Sequence, residues 1–316
     1  MTLAAHVRTL GRGPGRSRSL TRDEARDAMR SMLSEGAEPA AIGALLMLLR
    51  MKGETAEEIA GFAQAAQEWG PDLPQVDLDW PSYAAGRTRG HPWFLLSAKL
   101  VAEAGHTVLL HGFNGPDAAV RNGLTDAGIG IADTPATLSR LLAQDRIAYL
   151  PLEQWHPRLF DLLRLRDVLG LRSCINTICR MLNPARARAS VQGVFHPSYR
   201  LLQADAATQL GWESLSVIKG GGGEFERHPA KEIAGFGLRN GAPWEETVPA
   251  LCDETRRLAD DDAQSPGDGS FPAPQDHFQT AIVTGTAALA LDTLGVADSA
   301  RVAETLWAER IPPHAA

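Results

Sequence analysis

Apolar positions in the first seventy residues recur at helical spacing, and the polar residues between them mark helix starts and stops. Thr21 followed three residues later by Glu24 is the reciprocal arrangement that satisfies two otherwise unpaired backbone donors, and it predicts a helix from there to about Ser34. Pro39 suits a first helical turn, and AAIGALLMLLRMK after it is apolar nearly all round, as in a helix buried on several sides. Gly53 closes that helix. Thr55 with Glu58 repeats the capping box and opens a third helix, which runs to the turn-rich GPDLPQ. The expectation is a small all-helical domain over residues 1–76, with its boundary between 70 and 78.

Beyond that point short apolar runs alternate with helical patterns, as in an α/β sheet with crossover helices. The predicted strands are 78–84, 106–111, 147–151, 190–195, 214–219 and 233–238. Helices are predicted at about 92–104, 116–127, 134–144, 197–210, 246–259 and 275–294. Two more, 156–169 and 172–182, follow one another with no strand between them. They are expected to leave the sheet and join the N-terminal helical unit. The fold class is therefore α/β, with residues 77–316 forming a larger domain around a mostly parallel central sheet.

Composition narrows the function classes. The 316 residues are 44% hydrophobic and 22% charged, enough for a sizeable core and too balanced for a disordered chain. No apolar run approaches the roughly 20 residues that span a bilayer, so no membrane partner is expected. The opening MTLAAHVRTLGRGPGRSRSL lacks the apolar centre of a secretory signal, which predicts a cytoplasmic protein. Cys174, Cys179 and Cys252 fit no zinc spacing and are expected to be buried thiols.

The net charge of -7 is unevenly spread. Residues 1–30 carry seven arginines against three acids, and residues 155–200 carry eight arginines against Asp161 and Asp167. Arginine outnumbers lysine 27 to 4, a bias that fits genome composition as well as phosphate binding.

Four segments could carry chemistry. Gly86-Arg87-Thr88-Arg89-Gly90 connects the first strand to the next helix, where doubly wound sheets hold phosphates on a helix N-terminus; a solvated turn reads equally well there. His111 and Asn114 stand at the carboxyl end of the second strand, the edge where such sheets bind ligands, although His111 could simply cap the next helix. Arg166, Arg172, Asn176, Asn183 and Pro184 lie along the paired helices. A break expected at Gly170 prevents helical spacing from placing Arg166 and Arg172 on one face. The fifth strand runs into Lys219-Gly220-Gly221-Gly222-Gly223-Glu224-Phe225-Glu226-Arg227. There the glycines permit close backbone approach to a ligand or another chain. Glu224 and Glu226 could hold a hard cation, although two carboxylates alone make a poor metal site.

In order along nearly the whole chain, LTRDEARDAM, IADTPATL, WHPRL, LRDVLGLRSCINTICRMLNPA, GVFHPSY and the glycine-rich turn resemble the anthranilate phosphoribosyltransferase family (glycosyltransferase family 3) and its relatives, the nucleoside phosphorylases of the second fold type. The resemblance implies a helical domain, an α/β domain, a cleft between them and dimerisation through the helices. It also implies phosphoribosyl pyrophosphate and magnesium held by a GTGGD loop and a DE pair, with an amino-benzoate met by an HGN segment and an arginine. On that pattern His111 and Gly112 match the HGN segment, Leu110 stands where its preceding lysine would be, and Arg166 matches the acceptor-binding arginine. Asn183-Pro184 match the NP that closes the helix pair. The loop departs: Ala85-Gly86-Arg87-Thr88-Arg89 replaces GTGGD, and Glu224-Phe225-Glu226 replaces DE.

The altered loop and SVIKGGGGEFER are more similar to the YbiB-type subfamily, which implies loss of ordinary phosphoribosyl transfer and binding of DNA or RNA without sequence preference. The expectation from that resemblance is a homodimer that contacts nucleic acid through Arg158, Arg164, Arg172, Arg180, Arg186 and Arg188. The alternative is an active glycosyl or phosphoribosyl transferase using the crevice of Gly86, Arg87, Thr88, Arg89, His111, Asn114, Arg166, Gly222 and Gly223. Retained transferase activity would bring Mg2+ as cofactor, held by Glu224 and Glu226.

Overall fold

The computed structural model describes residues 2–83, 90–115, 118–254, 256–258 and 273–310. The first helices are α1 (Leu3–Gly11), α2 (Arg22–Leu33), α3 (Pro39–Lys52) and α4 (Ala56–Trp69). The capping boxes predicted at Thr21/Glu24 and Thr55/Glu58 are both formed. Glu58 does more than cap. Fully buried, it accepts from the backbone N–H of Leu20 and of Thr55 and pairs with Lys52, all at 2.8 Å, so one carboxylate fastens the start of α2 to that of α4.

Seven strands form one sheet among the described residues: β1 (Leu78–Ser82), β2 (Val108–Gly112), β3 (Ile147–Pro151), β4 (Ala189–Val194), β5 (Ser214–Lys219), β6 (Ile233–Arg239) and β7 (Ala242–Val248). The spatial order is β3-β2-β1-β4-β5-β6-β7. The first five strands pair in parallel, while β6 and β7 add an antiparallel edge. The α/β class with a mostly parallel sheet is therefore present as expected.

One prediction is overturned. The described residues of 246–258 form no α-helix; β7 runs from Ala242 to Val248, paired with β6. The signal was the Asn240-Gly241 dipeptide, whose two positive φ angles of 50° and 76° match the turn that joins antiparallel strands tightly. The later described helices include α5 (Phe94–Glu103), α6 (Ala118–Asp126), α7 (Pro135–Asp145), α8 (Leu152–Trp155), α9 (Pro157–Leu169), α10 (Ile175–Arg180), α11 (Tyr199–Leu210), α12 (His277–Thr293) and α13 (Ser299–Glu309); of all the described α-helices, α1, α8 and α13 were not predicted.

The sheet sorts its side chains by the strand period of two. Leu78, Trp80, Val108, Leu110, Ile147 and Tyr149 enter a core with the helix Phe94–Glu103 (α5) and the helix His277–Thr293 (α12). Leu109, Ala148, Leu150, Leu215 and Val217 enter the opposite core, with the N-terminal helices. That second core also takes the helix Pro157–Leu169 (α9) and the helix Ile175–Arg180 (α10). Polar ties reinforce the packing: His156 contacts the Ala66 carbonyl at 3.0 Å, and the Gln67 amide donates to the Leu182 and Asn183 carbonyls.

Candidate ligand crevice

The chain winds outward from β1 in both directions, so the carboxyl ends of β1 and β4 form the switch point where open α/β sheets leave a crevice. Pairing between those strands stops after Leu78↔Ala189 and Asp79↔Ser190, and the strands then part. A seam of buried polar groups begins there. Asp79 accepts from the Ser190 hydroxyl at 2.7 Å, and its other oxygen lies 3.1 Å from His111 Nε2, off the line of a good hydrogen bond. His111 Nδ1 lies 3.1 Å from the Tyr83 hydroxyl. Asp79 and His111 are both fully buried, while Tyr83 emerges at the wall of a cavity. Burial raises the Tyr83 phenol well above its ordinary pKa, so it remains a protonated donor.

That cavity, about 240 Å3, is walled by Tyr83, Phe113, Arg164, Arg166, Arg172 and Asn176, among others. Gly170, with φ of 66°, ends α9 in the left-handed region, and the reversal brings Arg172 back beside Arg166. Helical spacing was not needed: the turn after the helix brings the two arginines together. Burial lowers the Arg172 pKa first, and the like charges of Arg166 and Arg180 lower it further. Three guanidinium groups against the one carboxylate of Asp167 leave the cavity cationic, and with its two aromatic rings it suits a planar anion.

Asn114, fully buried, donates to the Ser82 carbonyl, the Ser82 hydroxyl and the Tyr149 hydroxyl, each at 3.2 Å. It fixes the end of β2 against β1 and β3. Gly86, Arg87, Thr88 and Arg89 lie outside the described residues.

The glycine-rich turn has a local explanation. Gly222 and Gly223 take positive φ, and a Cβ on Gly220 or on Gly193 of β4 would lie 1.7 or 2.0 Å from the Glu224 backbone. The close approach is between two parts of this chain. Glu226, fully buried, accepts from the Phe94 N–H at 2.9 Å and so caps α5 across the fold. Glu224 is fully buried as well. Among the described residues no three His, Cys, Asp or Glu side chains converge as a metal site requires.

The arginines expected to line a nucleic-acid track are dispersed. Arg164, with Arg166, is exposed at the cavity, and Arg172 is half-buried there. Arg158 donates to the Leu33 and Ser34 carbonyls, at the C-terminal end of α2. Arg180 is only 4% exposed and donates to Gly193, Asn176 and Gly223, tying α10 to β4 and to the glycine turn. Arg186 and Arg188 are exposed but precede β4, at the amino edge of the sheet opposite the crevice. Asp79, Tyr83 and Phe113 escaped the sequence reading. The clue was Asp79 itself, a charge set between Leu78 and Trp80 in a strand buried on both faces.

A model of the glycosyl transferase family helical bundle domain matches residues 6–70. The anthranilate phosphoribosyltransferase of Halobacterium salinarum is 34% identical over 229 residues, covering 68% of this chain and 66% of the relative. The chain belongs to the anthranilate phosphoribosyltransferase family. Another member, from Oceanobacillus iheyensis, is 31% identical over 65% of this chain and 62% of its own length. The matched region thus spans slightly under two thirds of these curated relatives. Solved family structures agree with the fold over 96% of the chain. The Thermus thermophilus enzyme has a TM-score of 0.77 at 21% identity, covered over 93% of its length. The Saccharomyces cerevisiae enzyme in complex with PRPP and Mg has 0.70 at 16% identity, covered over 92%. No described helix is long and apolar enough to cross a membrane.

Proposed function

We propose that the chain is a transferase of the anthranilate phosphoribosyltransferase type, which joins a phosphoribosyl group to the amine of an anionic aromatic acceptor held in the Tyr83/Arg166 cavity. The observation that carries this reading is the convergence of Arg164, Arg166 and Arg172 on a space bounded by Tyr83 and Phe113. A carboxylate there pairs with guanidinium groups, and the ring lies against the aromatic walls. The acceptor nitrogen attacks C1 of the sugar as the C1–O bond to pyrophosphate breaks, and the amine proton goes to the departing pyrophosphate. This chain's contribution is positioning and charge: Arg172 and its neighbours set a positive field where negative charge collects.

Titration with anthranilate and phosphoribosyl pyrophosphate, with and without magnesium, tests the reading, followed by an assay of pyrophosphate release. Binding that weakens at least tenfold in Arg166→Ala, with product formed, is expected. No heat with either compound at millimolar concentration refutes it.

A second reading, binding of DNA or RNA by a homodimer, is favoured by a different observation. Arg164 and Arg166 are exposed beside Val168 and Leu171, which are 82% and 49% exposed, so cationic and apolar surface adjoin. Gel shifts at two salt concentrations, with light scattering for the dimer, test it. A shift that is insensitive to salt, or unchanged in the Arg164→Ala/Arg166→Ala double variant, counts against it.

A further inference from the structure

A second cavity, of about 250 Å3, adjoins the first and shares Arg172, Ser173 and Asn176 with it. Much of the rest of its lining comes from elements that the first cavity does not touch. Arg50 enters from the last turn of α3, Phe195 and His196 follow β4, and Tyr199 and Gln203 belong to the helix Tyr199–Leu210 (α11). Gln203 is 1% exposed, yet its Oε1 accepts no hydrogen bond from any described residue. Folded interiors seldom leave an amide oxygen in that state, because burying an acceptor without a donor costs about 1–3 kcal/mol. A ligand N–H in the cavity would satisfy it.

The charge of the site points the same way. Arg50 donates to the Arg172 carbonyl at 2.7 Å, which holds the Arg50 side chain at the cavity; no carboxylate is among its described lining residues, and Glu54 meets the lining through Tyr199. α11 begins at this cavity, and its first N–H groups, those of Tyr199 and Arg200, are held by the His196 and Pro197 carbonyls, so the cationic contacts of the site are the arginines. Phe195, 50% exposed, packs its edge on His196 and presents apolar surface that nothing described covers.

We propose that this second cavity binds a nucleoside monophosphate. The phosphate meets Arg50 and Arg172, and the base lies against Phe195 with an N–H, the N3–H of uracil or the exocyclic amine of adenine, donated to Gln203 Oε1. The site adjoins the acceptor cavity across Arg172, Ser173 and Asn176, and its assignment does not rest on the transfer reaction.

Calorimetric titration of the full chain with UMP and AMP tests the assignment, with inorganic phosphate and the free nucleosides as separate arms. Gln203→Leu is expected to weaken a monophosphate about tenfold, as loss of one buried hydrogen bond implies. It should leave inorganic phosphate binding within twofold and the melting temperature of the unliganded protein unchanged or higher. Phe195→Ala, at an exposed position, gives an independent reading where Gln203→Leu folds poorly, and is expected to weaken the monophosphates severalfold. Monophosphate affinity unchanged in both variants overturns the proposal. So does equal affinity for inorganic phosphate and the nucleotides, or loss of nucleotide binding in Arg164→Ala with Gln203→Leu unaffected, which would move the ligand into the first cavity.

Discussion

Glu226 separates a structural role from a metal-binding one, and its replacement gives opposite results under the two. The side chain is fully buried and its carboxylate accepts the Phe94 N–H at 2.9 Å, at the first turn of α5. Glu226→Ala leaves that donor unsatisfied inside the protein, at a cost of about 1–3 kcal/mol. Removing an anion from a helix N-terminus adds about 0.3–1 kcal/mol. The expected loss is thus about 1–4 kcal/mol, which for a chain of this size lowers the melting temperature by about 2–6 °C. Glu226→Gln keeps an acceptor oxygen at the same reach and should recover more than half of the loss. The assay is thermal unfolding in EDTA and again in millimolar magnesium, with all three proteins. A loss of the same size in both conditions is the expected result. If the wild type gains stability from magnesium, and Glu226→Ala loses only that gain while matching the wild type in EDTA, the capping argument is wrong and the carboxylate is a metal ligand.

Three other measurements follow from the packing. Gly193→Ala places a Cβ 2.0 Å from the Glu224 backbone, which no side-chain motion relieves, so the protein should lose more than about 3 kcal/mol of stability or fail to accumulate in soluble form; near-wild-type unfolding would show that the turn can shift. His156 is buried, and burial depresses its pKa to about 4. Its folded value therefore lies below the unfolded value, so its contribution is complete above about pH 6.5 and is lost as pH falls toward 4, about 3 kcal/mol in total. His156→Gln should show a shallower loss of stability across that window, and an identical pH profile would contradict the assignment. Arg158→Ala removes two donors to carbonyls at the end of α2. It should cost about 1–2 kcal/mol in unfolding while leaving any nucleic-acid shift unchanged, and a lost shift in a stably folded variant would return Arg158 to the binding surface.

The helical unit was legible because its signals are local. Capping boxes at Thr21 and Thr55, Pro39 at a first turn and Gly53 at a stop each act within four residues. Parallel strands were legible for a related reason: buried on both faces, they read as apolar runs. The β6–β7 hairpin was missed because β7, APWEETV, lies at the sheet edge and is largely exposed, so it carries no apolar run to betray it. Only the turn at Asn240-Gly241 marked it.

The site was less legible, since its members come from distant parts of the chain. Arg166 and Arg172 were visible as charges, but the left-handed residue Gly170 brings them to one cavity with Tyr83 and Phe113. Arg180 looked like its neighbours in the sequence; burial against Gly193 and Gly223 makes it a structural tie.

By itself, then, the sequence determined the boundaries of the capped N-terminal helices, the periodicity of the buried strands and the family pattern, all of which depend on neighbours a few residues apart. Only the tertiary structure decided which charges meet, because burial and desolvation arise from groups that the fold, not the chain order, brings into contact. It gave Glu226 to a helix start and Gly193 to a close backbone crossing, and it left Gln203 with an oxygen awaiting a donor.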